Sequence, residues 1–165
     1  MKKIVSMLLI AVTLLSLAAC QNNPDSTTTA APQGPKQLTL SETYTAITKD
    51  ANMPEMMRVD EEMLLDLYGI KAGQYKQVEV YLCVNSLRAD EIWLIEATDT
   101  AALAALQTLA RSRLQQKDDE SVTYSPEQNA IVKKAHLATY GNYLVMIVSP
   151  DVETITAAFK TEAGV

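Results

Sequence analysis

Four stretches of the chain have the hydrophobic pattern of β-strands. From Gln77 to Asn85 apolar and polar residues alternate, which is typical of a strand with one buried face. A second strand follows at Glu91–Ala97, and we expect it to pair antiparallel with the first. A third begins near Ala135, and the fourth and most hydrophobic spans Tyr143–Ser149. The Gly141–Asn142 dipeptide between these two is a favoured two-residue hairpin turn.

Five other stretches have the apolar spacing and the end signals of helices. The predicted helices run from Ser41 to about Asp50, from Asp60 to Gly69, from Thr98 or Asp99 to about Lys117, briefly from Ser125, and from Ser149 to about Thr161. Gly69 stands where a left-handed residue is needed to end the second helix, and Ser125-Pro126-Glu127-Gln128 is a capping box with proline at the first helical position.

The order of these elements, α-α-β-β-α-α-β-β-α, predicts the fold class. Paired strands with short connections indicate an antiparallel sheet, and the helices must cover its apolar face. We therefore expect a single α+β domain over residues 38–165, with a four-stranded antiparallel sheet and helices packed on one face.

The first 19 residues have the organisation of a signal peptide. Two lysines precede an uncharged run from Ile4 to Ala19, which at ~24 Å is too short to span a ~30 Å hydrocarbon layer. Its end, Leu17-Ala18-Ala19-Cys20, resembles a bacterial lipobox, which implies cleavage between Ala19 and Cys20 and lipid attachment to Cys20. An ordinary secretory signal with a cysteine near the cleavage site is the alternative.

Residues 20–37 are predicted to form the lipidated cysteine and a disordered tether. From Gln21 to Gln37 there is no Ile, Leu, Val, Met or aromatic residue, so the segment cannot bury enough apolar surface to fold. Two acyl chains on one cysteine hold a protein at a bilayer without help from its surface. We expect a domain on the extracytoplasmic face of the cell membrane, attached through the lipid on Cys20.

Composition limits the remaining functions. A chain of 165 residues with net charge −6 has room for one modest domain. Because the predicted leader contains two lysines and no acidic residue, its removal changes the net charge to −8. So acidic a protein has no electrostatic basis for binding nucleic acid, which depends on Lys and Arg neutralising phosphates.

Several short motifs occur in a recognisable order along the chain. They are Met53-Pro54-Glu55-Met56, Leu67-Tyr68-Gly69-Ile70, Ala89-Asp90-Glu91-Ile92, Ser125-Pro126-Glu127-Gln128 and Gly141-Asn142-Tyr143. Together they resemble a family of Gram-positive bacterial lipoproteins known only as a domain of unknown function, numbered four-three-five-eight. The resemblance covers about residues 38–159. It implies an exported, lipid-anchored domain, and it supplies no established activity, cofactor or catalytic residue.

Candidate catalytic chemistry is sparse. Once Cys20 is acylated, Cys83 is the remaining thiol, and its strand position favours a small buried apolar side chain. His136 is the single imidazole. An alternative function is an envelope hydrolase or transferase that uses Cys83 as nucleophile and His136 as base. One His and no paired-Cys spacing argue against a zinc site, and we expect no metal and no cofactor.

The acidic runs at 60–62 and 118–120 are explained by a helix N-terminus and by a solvated loop, respectively. The remaining candidate is a contact surface. Met53, Met56 and Met57 flank Pro54 between the first two predicted helices, where they either fill the core or, if exposed, form a contact patch. We expect a non-enzymatic module that binds an envelope protein or ligand, with an envelope enzyme and a purely structural spacer as alternatives.

Overall fold

The computed structural model describes residues 34–165. The predicted leader, Cys20 and the predicted tether up to residue 33 lie outside them. The strands within the described residues are β1 Met56–Arg58, β2 Tyr75–Cys83, β3 Glu91–Ala97, β4 His136–Tyr140 and β5 Tyr143–Val148. The α-helices are α1 Leu40–Thr48, α2 Glu61–Tyr68, α3 Thr100–Tyr124, α4 Pro126–Lys133 and α5 Val152–Ala163, and a short 3-10 helix spans Ala72–Gln74.

The strands of the described residues form one antiparallel sheet in the order β1-β2-β3-β5-β4. The prediction of an α+β fold with an antiparallel sheet is confirmed, but the prediction of four strands is wrong. The additional strand, β1, has three residues and pairs with the end of β2, with Met56 opposite Cys83. So short a strand leaves no alternation in the sequence, because the neighbouring strand and not the local pattern holds it extended.

Helices cover both faces of the sheet, so the prediction that they cover one face is wrong. Every residue of β3 and of β5 is buried, as expected for strands with helices on each side. Trp93 and Met146 lie in a cluster with residues of α2, α3 and α4, on what we call the α3 face. Ile92 and Val145 lie in a second cluster with residues of α1 and α5, on what we call the α5 face. The domain therefore has three layers.

Several helix ends follow from the predicted caps. The Asp60 side chain accepts a hydrogen bond from the Met63 amide at 2.8 Å, and Asp99 caps α3 in the same way. Gly69 ends α2 with φ +72°, and Ser125 and Pro126 begin α4. The first helix begins at Leu40 and not after Ser41, and the last begins at Val152, two residues beyond the predicted proline.

The third helix extends seven residues beyond its predicted end at Lys117. The acidic run at 118–120 therefore lies in α3 and not in a loop, which corrects the prediction. Gln115 donates to Asp119 and Gln116 donates to Glu120, each at 2.8 Å and four residues apart. Such pairs stabilise a solvated helix without any apolar periodicity, which is why the hydrophobic pattern did not reveal this part of α3.

The chain enters the domain at one end of the sheet. The Lys36 amide donates to the Ala163 carbonyl at 3.0 Å, and Gln37 donates to Glu96. Pro35 lies beside the β4–β5 turn at Gly141. Residues 35–37, assigned to the tether by the prediction, thus contact the domain. Within residues 34–165, no helix is both long enough and apolar enough to cross a membrane.

Replacing Gly69 with Ala should destabilise the domain. Gly69 adopts φ +72°, a left-handed conformation that costs a residue with a Cβ ~1–2 kcal/mol. We expect Gly69→Ala to lower the free energy of unfolding by about that amount, measured by urea denaturation. Gly73→Ala is the matched control, because Gly73 has no positive φ and a methyl group there would meet no neighbouring atom. An equal decrease in the free energy of unfolding in both variants would show that the left-handed conformation of Gly69 is not the cause of the loss.

Candidate functional site

Cys83 and His136, the predicted alternative catalytic pair, are not brought together. Cys83 ends β2 and His136 begins β4, with β3 and β5 between them. Three strand spacings separate the two residues by ~14 Å. His136 instead has its Nε2 atom 3.1 Å from the Tyr140 hydroxyl, and burial together with Lys160 lowers its pKa below the usual value. A nucleophile and its base must lie within hydrogen-bond reach, so this geometry supplies no such pair.

The three methionines of the predicted contact patch lie in different environments. Met56 pairs with Cys83 and Met57 with Leu82, and successive residues of a strand point to opposite faces. Met57 is exposed, whereas Met53 is partly buried against the core cluster of the α5 face. The Met53 sulfur lies 3.9 Å from the Ser149 hydroxyl.

Neither acidic run forms a metal site. Asp60 is used as the cap of α2, and Asp119 and Glu120 hydrogen-bond to glutamines of their own helix. Among residues 34–165, no group of three or more His, Cys, Asp or Glu side chains is arranged to hold a metal ion.

A cavity of about 250 Å³ opens at the end of the sheet where β2 leads into β3. Its walls are the end of β2, the loop 84–90, the start of β3, the second half of α3 and the start of α4. The side chains that define its chemistry are Leu87, Arg88, Asp90, Glu91, Arg113 and Lys117. Because separate strands, helices and a loop contribute these walls, the fold as a whole determines the shape of this cavity, which we call the loop cavity.

A fully buried carboxylate, Glu91, forms the floor of the loop cavity. Arg113 donates through Nε and Nη2 to its carboxylate oxygens at 2.9–3.1 Å, and the Lys117 Nζ lies 2.9 Å from Oε2. The Trp93 indole N–H donates to Oε1 at 2.7 Å. Arg113 and Lys117 are four residues apart on α3 and therefore lie on one face of the helix. Trp93 is two residues along β3 and lies on the same face of the sheet as Glu91.

The charge of Glu91 is fixed by these neighbours. Burial on its own would raise the pKa of this carboxyl, but Lys117 and Arg113 outweigh that effect and hold the pKa below its usual value. The Arg113 guanidinium also lies over the Tyr68 ring, 5.3 Å from its centroid. Glu91 is therefore an ionised acceptor saturated with donors.

The loop above this floor is held in one conformation. The Ala89 amide donates to the Gln128 side chain at 2.8 Å, and its carbonyl accepts from Lys117 at 3.0 Å. Arg88 donates through Nε to Asp90 Oδ2 at 2.9 Å. The other oxygen of Asp90, Oδ1, is buried and has no hydrogen-bond partner within the described residues. The cavity is thus preformed, and it retains one unused buried acceptor.

The mouth of the loop cavity combines charge with apolar surface. Leu87 is 70% exposed, Val84 is 52% exposed and Met57 is 36% exposed. Met57 pairs with Leu82, which lines the cavity, and Val84 directly follows Cys83, the last residue of β2. We call these three residues, Met57, Val84 and Leu87, the rim patch. Exposed apolar side chains beside a polar cavity are typical of an interaction site.

The fold and the site thus define a class: a three-layered α+β domain with a buried ion cluster beneath a small surface cavity. The sequence profile of one family, described as "Domain of unknown function (DUF4358)", matches residues 49–149. The chain belongs to this family. The matched residues include the whole of the sheet from β1 to β5 and every residue that lines the loop cavity. No curated protein and no solved structure matches the chain.

The ion cluster was not predicted from the sequence. The hydrophobic pattern predicts a strand at Glu91 and a helix at Arg113 and Lys117, but it predicts no role for their charges. Two signals were present. A glutamate stands directly before the apolar run Ile92–Ile95, and two cations lie four residues apart on the helix that follows. Neither signal indicates that the charges meet until the packing of α3 on β3 is known.

Replacing Glu91 with Gln should strongly destabilise the domain. The substitution leaves two cations facing an uncharged amide, and their side chains are only 18% and 9% exposed. Breaking a buried ion pair from one side costs ~3–5 kcal/mol. We expect the free energy of unfolding, measured by urea denaturation, to fall by about that amount.

Glu79→Gln is the matched control for this experiment. Glu79 also forms a salt bridge with an arginine, with Arg58 Nε 2.7 Å from Glu79 Oε2, but the Arg58 side chain is 52% exposed. Solvent screening limits the contribution of such a pair to ~0–1 kcal/mol. Equal losses for Glu91→Gln and Glu79→Gln would show that the buried cluster does not have the energetic weight assigned to it.

Proposed function

We propose that this chain is a lipid-anchored extracytoplasmic binding module that holds an envelope protein partner at the loop cavity. The observation that carries the binding role is the preformed cavity with its buried ion cluster and exposed apolar rim. The anchoring role is supported by the sequence of the first 20 residues, where a short apolar segment ends in Leu17-Ala18-Ala19-Cys20. Its localisation is then the outer face of the cell membrane, with Cys20 as the point of attachment.

The ion cluster favours binding over catalysis. A general base must accept a proton, but Glu91 has a lowered pKa and its oxygens already accept from Trp93, Arg113 and Lys117. The two cations are likewise engaged with Glu91. These groups give the cavity rigid polar walls and do not provide a reactive centre. We therefore propose no catalytic residue, metal or cofactor for this chain.

The energetic cost of the cluster supports a functional role for its position. A buried ion pair is often no more stabilising than apolar residues of the same volume, because each charge loses its hydration. Strand β3 is buried along its whole length and is largely apolar. An apolar residue at position 91 would therefore be compatible with the fold. The charge of Glu91 lies next to a cavity at the surface. This is expected of a binding site that is retained although it lowers the stability of the fold.

The rim patch favours a protein partner over a small solute. A cavity of about 250 Å³ is at or below the lower end of the range for drug-sized ligands. The apolar side chains of Leu87, Val84 and Met57 extend the contact surface beyond it. The hydrogen bonds that fix Ala89 keep this surface ordered before binding, which lowers the entropic cost of association. We propose that a partner packs on the rim patch and places one polar side chain in the loop cavity.

The anchor is tested by intact mass spectrometry of the protein from its native host. We expect the mature chain to begin at Cys20 and to carry a mass increment equal to a diacylglyceryl group. A Cys20→Ala variant should lack that increment and should leave the membrane fraction. Recovery of an unmodified wild-type chain in the soluble fraction would overturn the anchoring proposal.

The partner site is tested by photocrosslinking in intact cells. We expect a photoreactive amino acid at position 87 to form a discrete adduct, and the same probe at Leu65, 50% exposed on α2, to form none. A Val84→Asp substitution should reduce the adduct at position 87 at least fivefold, because it places a charge in the apolar rim.

Leu67→Asp is the matched control for Val84→Asp. Leu67 is 54% exposed, close to the 52% exposure of Val84, but it lies on α2 and does not line the loop cavity. We expect this variant to leave the adduct unchanged. A similar adduct at positions 87 and 65, or an adduct that responds equally to both Asp substitutions, would contradict a partner site at the loop cavity.

A further inference from the structure

The last strand of the sheet, β4, leaves one edge open. Within residues 34–165 the strand order is β1-β2-β3-β5-β4, and β4 pairs there with β5 alone. A two-residue turn joins the two strands, so the Tyr140–Tyr143 pair that closes the hairpin exchanges backbone hydrogen bonds. The bonding alternates along the pair, and the backbone N–H and C=O groups of Leu137 and Thr139 therefore point away from the sheet.

This edge lacks the features that normally prevent further pairing. Exposed edges usually carry a lysine or proline, a bulge, or a very short strand. At the opposite edge, β1 has three residues, one of them Arg58. The five residues of β4 are His-Leu-Ala-Thr-Tyr, with continuous register against β5 and no lysine or proline. The β4 edge is thus a template for one more strand.

A groove of about 530 Å³ runs between the start of β4 and α5. Its apolar wall comes from Ala135, Val152 and Ala157, whose short side chains leave room for the side chains of an added strand. His136 and Lys160 also line it, and His136 lies on the α5 face because Tyr140, four residues along the strand, packs against Phe159 of α5. Backbone groups and a side-chain groove therefore lie next to each other.

The charge of the groove is opposite to that of the chain. Lys134 and Lys160 line it, Lys133 is the adjacent residue, and Glu153 is the acidic residue in its wall. Within residues 34–165, none of these three lysines lies within 4 Å of a carboxylate. In a protein of net charge −6, the groove beside the open edge thus carries two lysines, Lys134 and Lys160, and one acidic residue, Glu153.

We propose that β4 binds an extended acidic peptide segment of a partner protein as a sixth strand of the sheet. The backbone of that segment pairs with Leu137 and Thr139, and its Asp or Glu side chains on the α5 face meet Lys134 and Lys160. This site is distinct from the loop cavity, which lies near β2 and α3, and the inference does not depend on the function proposed for that cavity.

Two other occupants fit the same features less well. A bilayer surface with anionic headgroups complements the lysines, but it offers no alternating backbone donors and acceptors to the edge. A second copy of this chain offers those backbone groups, but antiparallel pairing of two β4 strands would bring both basic grooves together on one face of the joined sheet. An extended acidic peptide can pair with the outward backbone groups of β4 and can also neutralise the lysines of the groove.

The test measures binding of labelled hexapeptides to the full chain in detergent, by fluorescence anisotropy. The probe is an alternating Glu-Val hexapeptide, and the control probe is the Lys-Val hexapeptide. We expect saturable binding of the acidic probe and at least tenfold weaker binding of the basic one. A third probe with the acidic sequence and N-methylated alternate amides should lose at least tenfold in affinity, because it cannot complete the backbone ladder.

Variants of the chain locate the site. Lys134→Glu and Lys160→Glu should each weaken binding of the acidic probe about tenfold, whereas Lys49→Glu makes the same charge change at the end of α1 and should have no effect. Thr139→Pro removes one outward N–H at an edge position where proline is tolerated. It should abolish binding, with an unchanged circular dichroism spectrum as the check on folding.

Four results would overturn the proposal. Equal affinity for the acidic and basic hexapeptides would show that the lysines do not select the peptide. Equal affinity for the acidic probe and its N-methylated form would show that the backbone of β4 does not pair with the peptide. Binding of vesicles containing anionic lipid that depends on Lys134 and Lys160, without competition by the acidic peptide, would assign the lysines to a bilayer. A dimer in sedimentation that is lost in Thr139→Pro would assign the edge to a second copy.

Discussion

Burial of β3 and β5 on both faces is the constraint on which the rest of the structure depends. Every residue of these two strands is buried, so helices are required above and below the sheet. Helices α2, α3 and α4 pack on the α3 face, and helices α1 and α5 pack on the α5 face. Trp93 is at the centre of the first cluster, with the Tyr68 ring 4.9 Å away in an edge contact. The positions of all five helices are consequences of this two-sided burial.

The same constraint explains the loop cavity. Because β3 is buried from its first residue, Glu91 cannot reach solvent, and its charge must be met from within the protein. The packing of α3 on β3 brings Arg113 and Lys117 to it, and these contacts also fix the Ala89 carbonyl. The shape of a surface site is therefore set by electrostatic requirements of the core.

The sequence predicted most elements because their signals are local. Caps at Asp60 and Ser125, the left-handed end at Gly69 and the hairpin turn at Gly141 all depend on neighbouring residues. The number of strands and the layering were wrong for a different reason. β1 is extended through its pairing with β2, which no local pattern reports. The prediction of one covered face was wrong although the run Ile92–Ile95 is apolar on consecutive residues, a pattern typical of a strand that is buried on both faces. The ion cluster depends on contacts between residues 22 or more positions apart, which one sequence alone does not specify.

The position where the chain joins the domain has a consequence for its orientation. Pro35 contacts the turn at Gly141, and the Asn142 carbonyl accepts from Ala97, the last residue of β3. The loop cavity lies at the first residue of β3, about 20 Å away along the strand. If the N-terminal segment attaches the protein to a membrane, as proposed above, the domain is attached at one end of the sheet and carries its cavity at the other end. Tension on that segment would hold the end of the sheet near Gly141 close to the membrane. The loop cavity at the other end of the sheet would then face away from the membrane.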